Sequence, residues 1–242
     1  MNTRKKHAVA LIDGRADKSI IRSLKAYADK VLLLPCFPAL SEPVCAHADM
    51  LVWCCGKTVF TYSDYLTLAP EIFSTLEKLS YEINTVLKNP SPEYPRDVAL
   101  NCAVVGKSII ANAKYCAPEI KALADKNGLP LLHTNQGYAK CSTVVISENA
   151  IITSDASIAT VAKDKSIDTL TVNAGYVSLP PYEYGFIGGA SGADTENVYF
   201  CGSLDKHPDA DKIGAFCQKH NKQVVCLSQG TPKDVGTVMF FD

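Results

Sequence analysis

Three short stretches of this 242-residue sequence bring groups able to do chemistry close together: His47-Ala48-Asp49, Asn101-Cys102 and Lys140-Cys141. His47-Ala48-Asp49 opens the apolar run Met50 to Cys55, which reads as a strand, so i, i+2 spacing puts both side chains on one face. A carboxylate there could orient the imidazole, or the pair could grip a planar cation or a metal. The same pattern also fits a strand-end His followed by a capping or solvated Asp. A cation beside Cys141 could lower its thiol pKa toward reactivity, whereas alternation along Cys141 to Ile146 places it in the core. Cys102 carries the same two readings one unit earlier. Asn135 and Gln136 could offer amide hydrogen bonds to a ligand, although Asn-x-Gly is also ordinary turn chemistry.

Two apparent nucleotide signals fail on context. Gly56-Lys57-Thr58 and Gly106-Lys107-Ser108 lack the first glycine of a phosphate loop, and strands follow them rather than helices. Gly188-Gly189-Ala190-Ser191-Gly192-Ala193-Asp194 leads into a strand as well. Its glycines suit close approach of a ligand or of neighbouring backbone, and Asp194 is a candidate carboxylate partner.

The elements that position these residues recur in one order. Apolar runs are joined through tight turns at Gly56-Lys57, Gly106-Lys107 and Ser147-Glu148-Asn149, which are hairpin signals. A looser copy runs from Gly185 to Cys201. After each second strand comes a capping acid and a helix, as at Asp155 before Ala156 to Lys163 and Asp205 to His207 before Pro208 to His220. Ser63-Asp64 and Ala117-Pro118-Glu119 open two more. A buried strand follows and ends in a turn at Asn135-Gln136-Gly137, Asn173-Ala174-Gly175 or Ser228-Gln229-Gly230.

The unit is strand, strand, helix, strand, and the chain ends are incomplete in a complementary way. The chain starts with a second strand, Ala8 to Asp13, followed by a helix near Lys18–Lys30 and the strand Val31 to Leu34. It finishes with a lone first strand, Gly236 to Phe241. Pairing the two termini completes a fifth unit and leaves no unpaired edge at the seam. The expectation is one α/β domain over residues 1–242, a pseudo-fivefold α/β-propeller.

Composition narrows the function classes. Lys+Arg (24) nearly balance Asp+Glu (25) and the pI is about 6.5, so no basic excess argues for nucleic acid or an anionic membrane. The basic start, Met1 to Lys6, is followed by too short an apolar run for a secretion signal and reads as a solvated tail. No run approaches the ~20 residues of a membrane span. The ten cysteines sit in apolar runs with no Cys-x-x-Cys pair, so they read as mostly reduced core residues, which favours the cytoplasm. Nothing in the sequence calls for a metal or another cofactor.

The ring of repeats resembles the pentein, or guanidine-modifying-enzyme, superfamily, which includes arginine and agmatine deiminases, dimethylarginine hydrolases, amidinotransferases and a non-catalytic ribosome anti-association factor. It is also similar to a bacterial family of that fold. The resemblance implies that first strands begin at a central channel, where carboxylates grip a guanidinium, a His acts as acid and base, and a Cys near the C-terminus attacks the guanidinium carbon. His47-Ala48-Asp49 resembles the His-x-Asp element of the deiminases, displaced to an earlier unit. Tyr138-Ala139-Lys140-Cys141-Ser142 resembles a His-x-Lys-Ser segment of the dimethylarginine hydrolases, with Tyr138 in place of the His. The final strand, Val235 to Met239, contains no Cys.

Two functions follow. One is an enzyme or binder for a guanidino, amidino or amino-acid-like small molecule, with Cys141, His47 and Asp49 as catalytic candidates and Asn101, Lys140, Tyr138, Asp194 and Gln136 as substrate-binding candidates. If an enzyme, it would be a hydrolase or transferase acting on a C–N bond. The other is a non-catalytic binding or assembly protein that keeps the ring and lacks the nucleophile. The first requires a polar pocket on the axis, and an axis plugged by apolar side chains would exclude it.

Overall fold

The computed structural model describes residues 6–242 and forms five three-stranded sheets, each built the same way. In chain order, β1 (His7–Asp13), α1 (Lys18–Leu24) and β2 (Ala28–Leu34) come first. The second unit holds α2 (Ala48–Leu51), β3 (Val52–Cys55), β4 (Thr58–Tyr62), α3 (Ser63–Leu68), α4 (Pro70–Lys78) and β5 (Glu82–Val86). The third holds β6 (Ala103–Val105), β7 (Ser108–Ala111), α5 (Pro118–Lys126) and β8 (Leu131–His133). The fourth holds β9 (Thr143–Ser147), β10 (Ala150–Thr153), α6 (Ala156–Asp164) and β11 (Asp168–Thr171). The fifth holds β12 (Ser191–Ala193), β13 (Asn197–Phe200), α7 (Ala210–Lys219) and β14 (Gln223–Cys226), and β15 (Met239–Phe241) ends the chain.

In every sheet the middle strand pairs antiparallel with the first and parallel with the third. The parallel pair needs a crossover, which the helices supply. The ring closes as the repeat requires: β15 pairs antiparallel with β1, with Val9 opposite Phe241 and Leu11 opposite Met239. The five first strands face the axis, and the middle strands are buried on both sides. Val9 and Leu11 of β1 pack into one core while Ala10 and Ile12 pack into another. Strands covered on both faces read as continuous apolar runs, and this burial is what makes the repeat visible in sequence.

Several sequence expectations shift. Helix α1 ends at Leu24, well short of Lys30, because Ala28 to Lys30 join β2. The third strands are half-exposed rather than buried, since they form the outer edges of the sheets. The first strand of the fifth unit begins at Ser191, not Gly185. Asp155 caps α6 as expected, accepting the Ile158 N–H. Eight cysteines are free, but Cys36 and Cys45 form a disulfide, Cys54 and Cys55 are half-buried, and Cys226 is exposed. Among the described residues no helix is long and apolar enough to cross a membrane. The tail expected at residues 1–5 lies outside the described residues.

Candidate functional site at the ring axis

The start of each first strand reaches the axis, but not as a regular strand. His47 and Asp49 belong to the one-turn helix α2 and its N-terminal flank, and the strand begins only at Val52. The i, i+2 same-face expectation therefore fails, because a helical turn sends the two side chains apart. The Asp49 N–H donates to the Gly236 carbonyl at 2.9 Å, which docks this turn on the start of the last strand. Tyr138 to Ser142 likewise form a turn ahead of β9, with the Ser142 N–H bonded to the Tyr138 carbonyl.

Two buried clusters result. In the first, His47 is 1% exposed and lies between two carboxylates: Nε2 is 3.9 Å from Asp13 Oδ2, and Nδ1 is 3.7 Å from Asp234 Oδ1. Burial pushes the imidazole pKa down, and the two carboxylates only partly offset this. Asp13 is held by Arg15 through Nη2 at 2.7 Å and Nε at 3.1 Å, and Arg15 also reaches the Glu42 and Pro43 carbonyls. Asp234 accepts the backbone N–H groups of Phe186 and Gly236.

The second cluster holds Asp49, Lys140, Cys141 and Asn101. The Asn101 oxygen accepts the Lys140 and Cys141 backbone N–H groups, and its Nδ2 contacts the Cys141 sulfur at 3.0 Å and the Asp49 carbonyl at 3.2 Å. Burial, above all, and the charges of Asp49 and Asp234 push the Cys141 thiol well above its ordinary pKa. This direction is opposite to the activation by Lys140 that the sequence left open, and it fits the reading of Cys141 as a core residue. Burial lowers the Lys140 pKa against the pull of Asp49, and it raises that of Asp49 against the pull of Lys140. Lys140 Nζ donates to Thr237 Oγ1 at 2.7 Å.

Thr237 and Gly236 both have left-handed backbones, with φ of 75° and 65°. For a β-branched residue this conformation is strained. It turns the Thr237 hydroxyl to within reach of Lys140 and of the Gly188 and Ser191 carbonyls. Gly188 in turn lies against the Lys140 and Cys141 carbonyls, where a Cβ would come within 2.6 Å. This is the close backbone approach that the glycine-rich stretch implied.

A cavity of about 610 Å³ opens on this second cluster. All five first strands line it, through residues such as Trp53, Val104, Ile146, Gly192 and Phe240. Its polar lining from the cluster is Asp49, Lys140 and Thr237. The channel is therefore not plugged. Asp49 is 1% exposed, and neither carboxylate oxygen has a hydrogen-bond partner.

The other candidates fall elsewhere. Asp194 lines the cavity near its hairpin-turn end, where it meets His7 Nε2 at 3.1 Å and Tyr199 at 2.5 Å. Burial pushes its pKa up, but bonds from Tyr199, the Glu196 and Asn197 N–H groups and His7 hold it at about 2. Tyr138 is tied to Asp97 Oδ2 at 2.6 Å and packs on Tyr94 and Phe186. Gln136 bonds Asp155 and the Tyr138 N–H, so its amide is committed to local structure. Asp13, Arg15, Asp234 and Thr237 were not singled out by sequence. Among the described residues no group of three or more His, Cys, Asp or Glu side chains is arranged to hold a metal ion.

Residues 11–239 match the model of a family described as "Family of unknown function (DUF6873)", and the chain belongs to that family. No curated protein matches the sequence. Among solved structures, the chain is similar to DDAH from Pseudomonas aeruginosa in complex with citrulline, at 11% identity over 93% of each chain and a TM-score of 0.56. It is similar to the amidinotransferase SxtG from Microseira wollei, at 10% identity over 94% of this chain and 90% of that one, with a TM-score of 0.54. It is also similar to the inosamine-phosphate amidinotransferase from Streptomyces griseus, at 9% identity over 100% and 95%, with a TM-score of 0.53. These likenesses show the fold: the protein has the pentein, or guanidine-modifying-enzyme, architecture.

Proposed function

We propose that this member of the DUF6873 family binds a guanidino, amidino or amino-acid-like small molecule in the axial cavity, with Asp49 as the anchor for the cationic group. One observation carries the reading: a buried carboxylate with two unpartnered oxygens lines an open cavity at the ring axis. A carboxylate in that state is costly to keep charged, and a planar N–H fork would satisfy both oxygens at once. Lys140 beside it suits a carboxylate on the same ligand. The fold neighbours include an agmatine deiminase and two amidinotransferases, whose names place guanidino-type compounds in related rings.

Turnover, if present, would be hydrolysis or transfer at a C–N bond by a route that does not start from a thiolate–imidazole pair. Cys141 is protonated and bonded to Asn101, while His47 sits in the other cluster between Asp13 and Asp234. That separation also supports the second reading, a binding or assembly protein that keeps the ring without the nucleophile. The eight free cysteines support a reducing compartment, the cytoplasm.

A thermal-shift screen of arginine, agmatine, methylarginines, amidines and simple amino acids tests the reading, because a ligand that binds only the folded state raises the melting temperature. Stabilisation by a guanidino or amidino compound is expected. Ammonia or urea release from the same compound separates enzyme from binder. A complete lack of response across the panel would contradict the proposal.

A further inference from the structure

Cys102 follows Asn101 of the Asp49 cluster and lines the same cavity, but the Cys102 and Cys116 sulfurs contact each other and the Ala99 and Ala117 carbonyls, and neither has a part in the proposed binding. Their sulfurs are 3.4 Å apart, with the Cys102 thiol donating to Cys116. Cys102 lines the axial cavity and Cys116 does not, so a small oxidant entering by the cavity has to pass Cys102 to reach the Cys116 sulfur. Cys116 stands one residue before Ala117, the N-cap of the nine-residue helix α5. We propose that Cys102 and Cys116 are a redox-active dithiol that closes to a reversible disulfide on the cavity wall.

The two sulfurs are unequal in the way such a pair requires. The hydrogen bond from Cys102 is the main cause lowering the Cys116 pKa, and the same bond raises that of Cys102. The start of a helix favours an anion at the same place. Cys116 is thus the sulfur that reacts first and Cys102 the one that resolves. With a peroxide as oxidant, the Cys116 thiolate attacks one oxygen: an S–O bond forms, the O–O bond breaks and hydroxide leaves. Cys102 sulfur then attacks the sulfenic sulfur, the S–S bond forms and the S–O bond breaks. The departing hydroxide takes the Cys102 proton as water, and the hydroxide of the first step takes the proton that the Cys116 thiol had released. Two thiols are oxidised and one peroxide is reduced to two waters. Closing from 3.4 Å to a bond of ~2.05 Å needs about 1.4 Å of sulfur travel, the scale of side-chain adjustment.

The pair carries its own reporter. Trp53 is the only tryptophan in the sequence, it lines the same cavity, and its indole N–H donates to the Cys102 carbonyl at 3.1 Å. Movement at Cys102 therefore reaches the fluorophore directly.

The test is a hydrogen peroxide titration of the full chain, followed by alkylation, non-reducing peptide mapping and tryptophan fluorescence. The expected result is a Cys102–Cys116 crosslink in wild type at low peroxide excess, with a matching change in Trp53 emission that dithiothreitol reverses. In C116S both signals should vanish. Peptide mapping of the wild type decides the question even if a variant folds poorly. Cys102 and Cys116 remaining alkylatable on unfolding, or a crosslink mapping to other cysteines, would overturn the proposal. Neither readout involves a guanidino ligand, so the result stands apart from that of the binding screen.

Discussion

The Asn101 side chain engages Cys141 from both of its ends. Its Nδ2 lies 3.0 Å from the thiol sulfur, and its oxygen accepts the Cys141 backbone N–H at 3.1 Å. One amide thereby ties the third unit to the turn that opens the fourth, and through the Asp49 carbonyl to the second.

Removing that amide should be costly. Asn101→Ala would leave the Lys140 and Cys141 N–H groups buried without their acceptor, at ~1–3 kcal/mol each. A net loss of about 2–4 kcal/mol is expected, which for a chain of this size is a drop of roughly 5–15 °C in Tm. Urea unfolding of the purified variant checks it, and a loss under ~0.5 kcal/mol, within the range of an ordinary surface substitution, would contradict the bridging role.

His47 should make stability fall on mild acidification. Its folded pKa lies below the ordinary value because of burial, so between about 6.5 and the lower folded value the unfolded chain binds more protons. Stability therefore rises with pH through that window and is lost as pH falls below ~6.5. The raised pKa values of Asp49 and Asp234 act in the opposite sense at lower pH. The contribution of His47 is isolated by comparing wild type with His47→Asn at pH 7.5 and 5.5. The variant should lose less stability on acidification, and identical slopes would refute the assignment.

Gly236 should tolerate no side chain. Its φ is +65°, and a Cβ there would lie 2.1 Å from His47 Cβ. Gly56 has a similar φ of +58° with nothing within 4 Å, so it serves as the control for backbone strain alone. Gly56→Ala should cost about 1–2 kcal/mol, whereas Gly236→Ala should fail to yield folded protein. Equal melting temperatures for the two would show that the His47 segment can move aside.

Alkylation should follow exposure and acidity rather than proximity to Lys140. Cys226 is exposed, whereas Cys141 is buried with its pKa pushed up. Iodoacetamide at neutral pH should modify Cys226 first and leave Cys141 intact until the chain unfolds. Mass mapping over time decides it. Rapid labelling of Cys141 in the folded protein would revive it as a nucleophile.

The ring was legible in the sequence because the middle strands are buried on both faces, so β4, β7, β10 and β13 appear as apolar runs at regular intervals. The axial groups were legible only in part. Asp49, Lys140 and Asn101 stood beside recognisable strand starts. Asp13 and Asp234 looked like ordinary strand-end or turn acids, and only closure of the ring brings them to opposite sides of His47. The helical turn at Ala48–Leu51 was hidden because four residues carry too little periodicity to separate a turn from a strand. Thr237 gave no signal, since a left-handed threonine is a property of the fold rather than of the local sequence.

The most direct test of the account is calorimetric titration of agmatine and arginine into wild type and Asp49→Asn at neutral pH. The account predicts saturable binding of at least one of them to the wild type. Affinity should be roughly 10- to 100-fold weaker in the variant, the loss expected when a charge-assisted hydrogen-bonding pair is broken. No binding by the wild type, or equal binding by both proteins, would contradict Asp49 as the anchor of the axial site.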